Sequence, residues 1–371
     1  MSGATKILAA AGGADDSVYV DDVFSNFLYE GTGSSQNIEN NIDIDGKGGL
    51  VWIKNIDAND SHILVDTARG VTKTLSSDVQ TGEVTDVDTL TAFNANGFTI
   101  GADVKVNTDD ESYVSWTFAK QEKFFDIVTY TGNGSARTIA HNLGSTPGCI
   151  IVKRDSTKAW AVYHRGANGG TNPHTKYLAL DSSAAEGDSD TYWNDTAPTS
   201  SVFSVSTASQ VNADQGNYVA YLFAHEEEEF GTDSDQDIIS CAQFTANGSG
   251  SATVNLGWEP QWLMLKRSDS ATGGDWFMFD NMRPWHAVAK DSKLFDANEN
   301  GTETTLDLQI TPTGFTSDAL SASGPYICIA VRRSNKPPEA GTDVFSPYAY
   351  SDVGLTSGSG TAANRTILNG G

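Results

Sequence analysis

The stretch Tyr113-Val-Ser-Trp-Thr-Phe-Ala119 alternates large apolar residues with small or polar ones. Successive side chains of a β-strand point to opposite faces, so an alternation of period two predicts a strand. Similar stretches begin at Tyr218 and Tyr326, at intervals of 105 and 108 residues. A phrase that recurs at such intervals indicates that one unit of about 100 residues occurs three times.

Other landmarks recur in the same order around the three copies of this stretch. Three apolar strands end in a lysine that is followed by a polar residue, and these lysines are Lys54, Lys153 and Lys266. Each copy also has an aromatic residue before a Gly-rich stretch, an arginine turn and a phenylalanine strand, marked by Tyr29, Tyr130 and Phe244, by Arg69, Arg165 and Arg283, and by Phe98, Phe203 and Phe315. The agreement of order and interval predicts an internal triplication.

The length of the repeated unit indicates what it can form. About 100 residues can close a hydrophobic core, whereas solenoid repeats of roughly 20 to 45 residues cannot. Helical periodicity is weak, and turn signals such as Asn96-Gly97 and Asn300-Gly301 separate the apolar runs. We therefore predict an all-β chain of three tandem antiparallel β-sandwich domains, jelly-roll-like, over residues 21–121, 122–229 and 230–336, each with its own core.

The two ends of the chain lie outside the triplication. Residues 1–20 and 337–371 are rich in Gly, Ala, Ser and Thr, a composition that often becomes ordered only on a partner. The apolar run Ile7-Leu-Ala-Ala-Ala11 has no place in the triplicated units. We predict that residues 1–20 form an extended N-terminal docking arm and that residues 337–371 form an extended Gly/Ser-rich C-terminal segment.

The charge of the chain narrows the range of partners. The formal net charge is −25 at pH 7, and a negative field repels phosphate backbones and anionic lipids. No apolar stretch approaches the roughly 20 residues of a membrane-spanning helix, and the N-terminal run is too short for a signal peptide. We expect no nucleic-acid partner, no membrane insertion and synthesis in a cytoplasm. The three cysteines, Cys149, Cys241 and Cys328, lie in apolar stretches without metal-site spacing, which indicates small buried residues.

Recognisable catalytic motifs are missing from the sequence. It contains no Gly-x-Ser-x-Gly pentapeptide, no phosphate-binding Gly-x-x-x-x-Gly-Lys-Ser/Thr loop and no His-x-x-x-His pair. Pairs of carboxylates, as glycoside hydrolases use, cannot be chosen among 48 acidic residues without geometry. We therefore predict a non-enzymatic protein, with a polysaccharide-degrading enzyme as the alternative.

One segment has the spacing of a calcium-binding loop. Oxygen-bearing side chains occupy its positions 1, 3, 5 and 12 and a glycine occupies position 6. The candidate calcium ligands are Asp296, Asn298, Asn300 and Asp307. Strand-like residues follow, which argues against an EF-hand, and position 12 is aspartate rather than glutamate. Two interpretations stay open, a calcium-binding β loop and a plain Asn-Gly turn.

The third unit carries four of the eight tryptophans. An aromatic face can stack on a sugar ring while carboxylate and guanidinium groups bond the hydroxyls. The densest patch therefore supplies the glycan-binding candidates Trp276, Asp280, Arg283 and Trp285. The alternative is a structural role, because large aromatics in sandwiches commonly fill the core and an arginine fork commonly ties a turn to a carboxylate.

Several of the repeated phrases are similar to those of a known group of proteins. Residues 124–154, which begin Phe-Phe-Asp-Ile-Val-Thr-Tyr-Thr-Gly-Asn-Gly, resemble repeat domains of virion structural proteins in marine tailed bacteriophages. The other segments that carry this resemblance are 160–166, 49–55, 96–101, 113–118 and, for the start of such proteins, 6–13. It covers roughly residues 1–336 and is weakest in the third unit, where Met282-Arg-Pro replaces the Arg-Gly turn.

The resemblance implies a virion structural protein that is assembled in the host cytoplasm and located in the particle. We expect a surface-exposed tail-fibre or adhesin-like component that takes part in host attachment, with a head decoration or appendage protein as the alternative. The expected partners are other virion proteins, bound through the N-terminal arm, and a host surface glycan or receptor. Such proteins are commonly symmetric, so we expect a homo-oligomer, most simply a trimer.

Overall fold

A computed structural model describes residues 17–288, 291–320 and 323–337. The predicted docking arm lies outside the described residues except for 17–20, and the predicted C-terminal segment lies outside them except for Pro337. The regular structure of the described ranges is almost entirely antiparallel strand, which confirms the predicted all-β sandwich fold. The described residues up to Lys336 belong to one compact unit.

The first repeat is a sandwich of a six-stranded and a three-stranded sheet, ordered β1-β9-β3-β4-β5-β6 and β2-β8-β7. A 3-10 turn, Val20–Asp22, precedes it. Its elements are β1 (Phe24–Glu30), β2 (Gln36–Glu39), α1 (Ile44–Lys47), β3 (Gly49–Asn55), β4 (Ile63–Asp66), β5 (Lys73–Leu75), β6 (Val84–Thr85), β7 (Leu90–Asn94), β8 (Gly97–Ile100), α2 (Val104–Asn107) and β9 (Ser112–Ala119).

The second repeat has a four-stranded main sheet, ordered β10-β17-β12-β13, and two-stranded sheets β11-β16 and β14-β15. Two 3-10 turns, Ala167–Gly170 and Pro173–Thr175, follow β13. The other elements are β10 (Phe125–Thr131), β11 (Arg137–Ala140), β12 (Cys149–Arg154), β13 (Ala161–His164), β14 (Lys176–Tyr177), β15 (Gly187–Asp188), α3 (Asp190–Trp193), β16 (Val202–Val205) and β17 (Asn217–Phe223).

The third repeat returns to the scheme of the first, with sheets ordered β18-β26-β20-β21-β22-β23 and β19-β25-β24. Its strands are β18 (Ile239–Ala246), β19 (Ala252–Asn255), β20 (Pro260–Arg267), β21 (Phe277–Asp280), β22 (Ser292–Asp296), β23 (Thr304–Leu306), β24 (Leu308–Thr311), β25 (Gly314–Ser317) and β26 (Gly324–Arg332). In all three repeats the last strand lies, within the main sheet, between the first and the third strand of the repeat. The internal repeat seen in the sequence is therefore also present in the strand order.

The aromatic landmarks face one another across the first and last strands of each repeat. Tyr29 is paired with Tyr113, Tyr130 with Tyr218, and Phe244 with Tyr326. The rings of the three pairs are stacked at centroid separations of 5.2, 5.1 and 5.3 Å. Stacked cross-strand aromatics fix the register of two neighbouring strands, so the same pair sets the same register three times.

Glycine is required where the second layer turns. The Asn96-Gly97 signal forms the predicted turn between β7 and β8, and Gly97 has a φ of 144°. A Cβ atom there would lie 2.0 Å from the carbonyl oxygen of Ile38. Gly314 opens β25 in the same way, with a φ of 152° and a Cβ position 2.1 Å from the oxygen of Val254. Any larger residue would prevent these strands from closing on β2 and β19.

The three repeats share one core, and repeats 1 and 3 each have a further core of their own. One cluster of buried side chains includes Trp52 and Phe118 of repeat 1, Tyr221 of repeat 2, and Trp262 and Met264 of repeat 3. Two further clusters lie within repeat 1 and within repeat 3. The predicted boundaries between repeats stay predictions.

Each repeat contacts the other two at equivalent places, so the three form a closed ring. Hydrogen bonds that join loop to loop include Glu83 N to Asp155 O at 2.7 Å, Glu186 N to Ser268 O at 2.7 Å, and Thr302 N to Asn59 Oδ1 at 3.1 Å. We call the junctions 1–2, 2–3 and 3–1 after the repeats that they join. The arrangement explains how a single compact unit arises from a tandem array.

The last residues of the predicted arm belong to this ring. Tyr19 and Val20 are buried, and Val20 N donates to Asn335 Oδ1 at 3.0 Å. Gly231 N donates to Val18 O at 2.9 Å. The residues before repeat 1 are thus hydrogen-bonded to both the end and the beginning of repeat 3.

Candidate functional site

The repeated lysines lie inside the protein. Lys54, Lys153 and Lys266 are fully buried, each toward the end of the third strand of its repeat. Removal of the ammonium group from water lowers the pKa of each lysine to about 8. A buried amine needs hydrogen-bond acceptors, so the groups around it indicate its role.

At junction 1–2 the lysine bonds to both repeats. Lys153 Nζ donates to the carbonyl of Lys158 at 2.7 Å within repeat 2 and to that of Gln80 in repeat 1 at 3.1 Å. Trp160 of repeat 2 adds a bond from its Nε1 to the carbonyl of Ser76 in repeat 1 at 3.0 Å. The lysine and the tryptophan together tie the β5–β6 connection of repeat 1 to the sheet of repeat 2.

Of the other two lysines, Lys266 repeats this arrangement, whereas Lys54 donates within its own repeat, to the carbonyls of Asn55 at 2.8 Å and Ala58 at 3.3 Å. At junction 2–3, Lys266 Nζ donates to the carbonyl of Gly274 and, at 3.3 Å, to that of Ser182 in repeat 2. At junction 3–1, Lys54 lies over the ring of Phe295 of repeat 3, with Nζ 5.1 Å from the ring centroid. Lys153 and Lys266 are therefore hydrogen-bonded to two repeats each, and Lys54 contacts its neighbour through the Phe295 ring.

The arginine turns hold a second set of junction contacts. In repeat 1, Arg69 Nε and Asp66 Oδ2 form an ion pair at 2.6 Å. The hydroxyl of Tyr221, from repeat 2, donates to the same carboxylate oxygen at 2.8 Å. All three groups are largely buried. The Asp66 carboxylate is thus held by an ion pair within its own turn and by a hydrogen bond from the neighbouring repeat.

Repeat 3 uses the same device with a different donor. Arg283 Nη2 and Asp280 Oδ2 are 2.7 Å apart, and Trp116 Nε1 of repeat 1 donates to Asp280 Oδ2 at 3.1 Å. The guanidinium group also lies 4.2 Å from the ring centroid of Phe295. Trp116 and Tyr221 occupy the same place in the last strands of their repeats, β9 and β17.

Junction 2–3 departs from this pattern. Position 164 is His164, whose Nε2 donates to the carbonyl of Cys328 at 3.1 Å and whose Nδ1 accepts from Gly166 N at 3.0 Å. These bonds suit the neutral ring alone. Burial, and then the charges of His225 and Arg165, lowers the pKa of His164 to about 3. A neutral imidazole therefore replaces the carboxylate of the other two junctions.

The four glycan candidates are placed among these junction and core residues. Trp276 and Trp285 are 1% and 9% exposed, and Trp276 Nε1 donates to the carbonyl of Ala179 in repeat 2 at 2.9 Å. Asp280 and Arg283 form the buried ion pair of the turn. None of the four offers an open face or free charge on which a sugar could rest. Their contacts match the packing interpretation.

The four calcium candidates are placed along a β-hairpin rather than around one point. Asp296 ends β22, and Asn298 Oδ1 accepts from Trp276 N at 2.8 Å. Asn300 Nδ2 donates to the carbonyl of Asn59 in repeat 1 at 3.3 Å. Asp307 lies between β23 and β24 and accepts from Gln309.

Of these side chains, Asp296 alone has a buried oxygen, Oδ1, without a hydrogen-bond partner. Burial, and then the charges of Asp275 and Glu299, raises its pKa to about 7. Within the described ranges, no group of three or more His, Cys, Asp or Glu side chains is placed to hold a metal ion. The calcium interpretation stays a prediction.

A cleft of about 380 Å³ lies at junction 1–2. One wall is formed by repeat 1, with Arg69, Lys73 and Glu83, and the other by repeat 2, with Asp155 and Asn217. The side chains of Lys73 and Glu83 are 35% and 20% exposed, so their charged ends reach solvent. This cleft is the candidate binding site of the described ring.

Hydrogen bonds hold the polar walls of the cleft in place. Glu83 bridges Lys73 Nζ at 3.1 Å and Arg69 Nη1 at 3.4 Å. On the opposite wall, Asn217 Nδ2 donates to Asp155 Oδ2 at 3.0 Å. Side chains that are already fixed lose little freedom when a ligand binds, which favours binding.

Sequence reasoning singled out Lys153 and Arg69 as repeated landmarks but did not bring them to one cleft. The other polar residues that line the cleft, Glu83, Asp155 and Asn217, belong to no recognisable sequence motif. A signal was present in the recurrence of lysine at the end of an apolar strand, since a repeated charge in a buried position needs repeated partners. Which partners it finds depends on the neighbouring repeat.

The three cysteines are free and buried, as predicted. Burial raises the pKa of the Cys149 thiol well above its ordinary value and that of the Cys328 thiol to about 12, so both stay protonated near neutral pH. In the described part of the chain, no helix has the length and apolar character needed to cross a membrane.

The family described as "Domain of unknown function (DUF7483)" matches residues 20–332. The matched range begins at the first buried turn of repeat 1 and ends with the last strand of repeat 3. It therefore spans all three repeats. No curated protein matches the sequence.

Proposed function

We propose that this chain, which belongs to the DUF7483 family, is a non-enzymatic structural protein of a bacteriophage particle. Its place would be at the particle surface, as a tail-fibre or adhesin-like component that takes part in host attachment. The observation that carries the proposal is the closed ring, because its repeated polar groups are used to join three sandwiches into one body.

The use of reactive groups supports a non-catalytic role. His62 and His164 are fully buried, and burial lowers the pKa of each. A general base needs access to substrate and a pKa near the working pH, and these residues have neither. Lys153, Lys266 and the Asp–Arg turns are likewise engaged between repeats.

The resemblance to phage virion repeat domains supports the location. Its phrases include the lysine strand β3, the turn before β8 and the alternating strand β9, which are elements that build the ring. The family match covers the same three repeats as a single range. A particle component with this shape of core would be a rigid spacer or display module.

Partners follow from the same proposal. Attachment to other virion proteins would use the segment before Ser17, and the exposed cleft would face a host glycan or receptor. Copies of the ring would associate as a homo-oligomer, and we propose a trimer because the phage components that the sequence resembles are commonly symmetric. Light scattering of the purified chain measures this directly, and a monomeric mass at micromolar concentration would remove the trimer from the proposal.

The test of the particle role is the composition of purified particles. Phage that encode the chain would be banded in a density gradient, digested for peptide mass spectrometry and labelled with gold-conjugated antibody against the ring. We expect peptides of the chain in the particle band and label on the tail. Label on the head surface would replace the tail assignment by the head-decoration alternative. A chain found only in the soluble lysate would overturn the particle role.

A further inference from the structure

The cleft at junction 1–2 has the dimensions and chemistry of a ligand site. Its volume of about 380 Å³ falls within the roughly 300–1,000 Å³ of small-molecule sites. Both walls are parts of strands or of turns that end strands, which makes the site more rigid than one built on loops.

The charges of the cleft differ from those of the whole chain. Three basic residues, Arg69, Lys73 and Lys153, line it together with two acidic ones, Glu83 and Asp155. A pKa of about 8 leaves Lys153 mainly protonated at pH 7. The chain as a whole carries −25. The Arg69 charge is balanced by the buried Asp66, so the cleft is close to neutral, and an anionic group is repelled less there than by the chain as a whole.

The groups that reach solvent suit a ligand rich in hydroxyls. Lys73 Nζ donates to Thr85 Oγ1 at 2.8 Å and pairs with Glu83, which leaves it one N–H. The Glu83 and Asp155 carboxylates have lone pairs beyond the bonds described above and can accept from hydroxyl groups. Thr129 and Thr131 line the same cleft with hydroxyls of their own.

Stacking on an aromatic ring is not available for recognition. Tyr130 and Tyr218 both line the cleft, but their rings stack on each other at 5.1 Å, the Arg137 guanidinium lies over the Tyr130 ring at 5.7 Å, and Tyr218 is only 3% exposed. The Tyr130 hydroxyl donates to the carbonyl of Val211. A flat heteroaromatic ligand would find no free aromatic face to stack on. A ligand recognised by charge and hydrogen bonds does not need such a face.

We propose that this cleft binds a carboxylate-bearing saccharide, of the uronic-acid class, with the sugar carboxylate at Lys73 and the hydroxyls at Glu83 and Asp155. The inference deepens the attachment part of the proposed function by naming a ligand class. It is tested on the isolated chain, so its failure leaves the particle role standing.

The repeats supply a matched control for the test. Lys73 begins β5, and Lys176 takes the equivalent place at the start of β14 in repeat 2. Lys176 also holds an ion pair, with Asp188 at 2.8 Å, but it does not line the cleft. Lys73→Gln and Lys176→Gln therefore remove the same kind of charge from equivalent strands.

The experiment is calorimetric titration of the full chain with an oligogalacturonate of three units and with a neutral galacto-oligosaccharide of equal length. We expect the acidic sugar to bind, the neutral sugar to bind at least about tenfold more weakly, and Lys73→Gln to weaken acidic binding at least about tenfold, since a bond to a charged group contributes about that much. Lys176→Gln should bind as the unmodified chain does.

Three results would overturn the proposal. They are no heat with oligogalacturonate at millimolar concentration, equal affinity for the acidic and neutral sugars, and equal effects of the two lysine substitutions. Thermal unfolding of both variants would be measured alongside. A Lys73→Gln variant that melts with the unmodified chain but has lost binding assigns the loss to the cleft rather than to the fold.

Discussion

Tyr221 of the second repeat donates a hydrogen bond of 2.8 Å to Oδ2 of Asp66 in the first. Arg69 pairs with the same oxygen, so one carboxylate accepts from its own turn and from the neighbouring repeat. At junction 3–1 the same contact is made by Trp116 and Asp280. The contact is therefore part of the plan of the ring and gives the first prediction.

Tyr221→Phe should lower the free energy of unfolding by about 1.5–3 kcal/mol, because it removes a buried bond to a charged group. Chemical denaturation measures the change. Tyr29→Phe is the control, since its hydroxyl bonds only to the Val106 carbonyl, at 2.8 Å within repeat 1. The control should cost about 1 kcal/mol. Equal losses would show that the junction contact has no special weight.

An isolated second repeat, residues 122–229, should not fold cooperatively. Its separation from the ring would expose Trp160 and Tyr221, which are buried in the shared core, and would leave Lys153 without the Gln80 carbonyl. Near-ultraviolet circular dichroism and a thermal melt test this. A soluble fragment with a sharp melt would show that one repeat is sufficient as a domain.

Acidification should destabilise the folded protein, because the buried His164 of junction 2–3 is not protonated in the folded state. The pKa of His164 is lowered from the ordinary 6.5 to about 3, so between these values the unfolded chain binds a proton that the folded chain does not. The stability present above pH 6.5 is lost progressively as pH decreases toward 3, by a few kcal/mol in order of magnitude. His164→Gln should flatten this part of the curve of unfolding free energy against pH, whereas His174→Gln should leave it unchanged. If the unmodified chain, His164→Gln and His174→Gln gave parallel curves of unfolding free energy against pH, the acid sensitivity would belong to groups other than His164.

Calcium should raise the melting temperature of the unmodified chain, and part of the rise should disappear in Asp296→Ala. The reason is that Asp275 and Glu299 repel the buried Asp296 carboxylate, and a divalent cation would relieve that repulsion. Differential scanning calorimetry with calcium, and with magnesium as the control, gives the shift. Equal rises in both proteins, or none, would leave the hairpin from Asp296 to Asp307 as a plain turn.

Deletion of residues 1–16 should leave the melting temperature unchanged and prevent incorporation into particles. Deletion of residues 1–20 should also destabilise the ring, because it removes the buried Tyr19 and Val20 and the bond from Val20 to Asn335. Calorimetry and particle composition separate the two effects. Normal incorporation of the shorter deletion would place attachment elsewhere, for example after Pro338.

The strands could be predicted from sequence because their signal is local. The alternation at Tyr113 and the apolar run before Lys54 depend only on neighbours along the chain. The shared core could not be predicted in this way, because nothing in the sequence around Trp160 and Trp276 indicates which repeat each side chain packs against. Each tryptophan is satisfied by a carbonyl of the preceding repeat, Ser76 or Ala179.

The candidate site was harder to foresee than the fold. Trp276 and Trp285 drew attention because aromatic residues cluster there, yet the clustering reflects packing around β21 and β22. The cleft takes Glu83 from one repeat and Asp155 from another, joined by a backbone hydrogen bond of 2.7 Å. Residues that are 72 positions apart carry no common motif, so the site appears only when the repeats are assembled.

The bond between Val20 and Asn335 has a consequence for how this body can be connected. The polypeptide enters and leaves the ring at one place, so the two ends of the ring are adjacent rather than on opposite sides. Such a body tolerates circular permutation and insertion into a loop of another protein, since neither requires the host chain to span it. Tension on the two ends would be borne by this clasp before it reached the buried lysines.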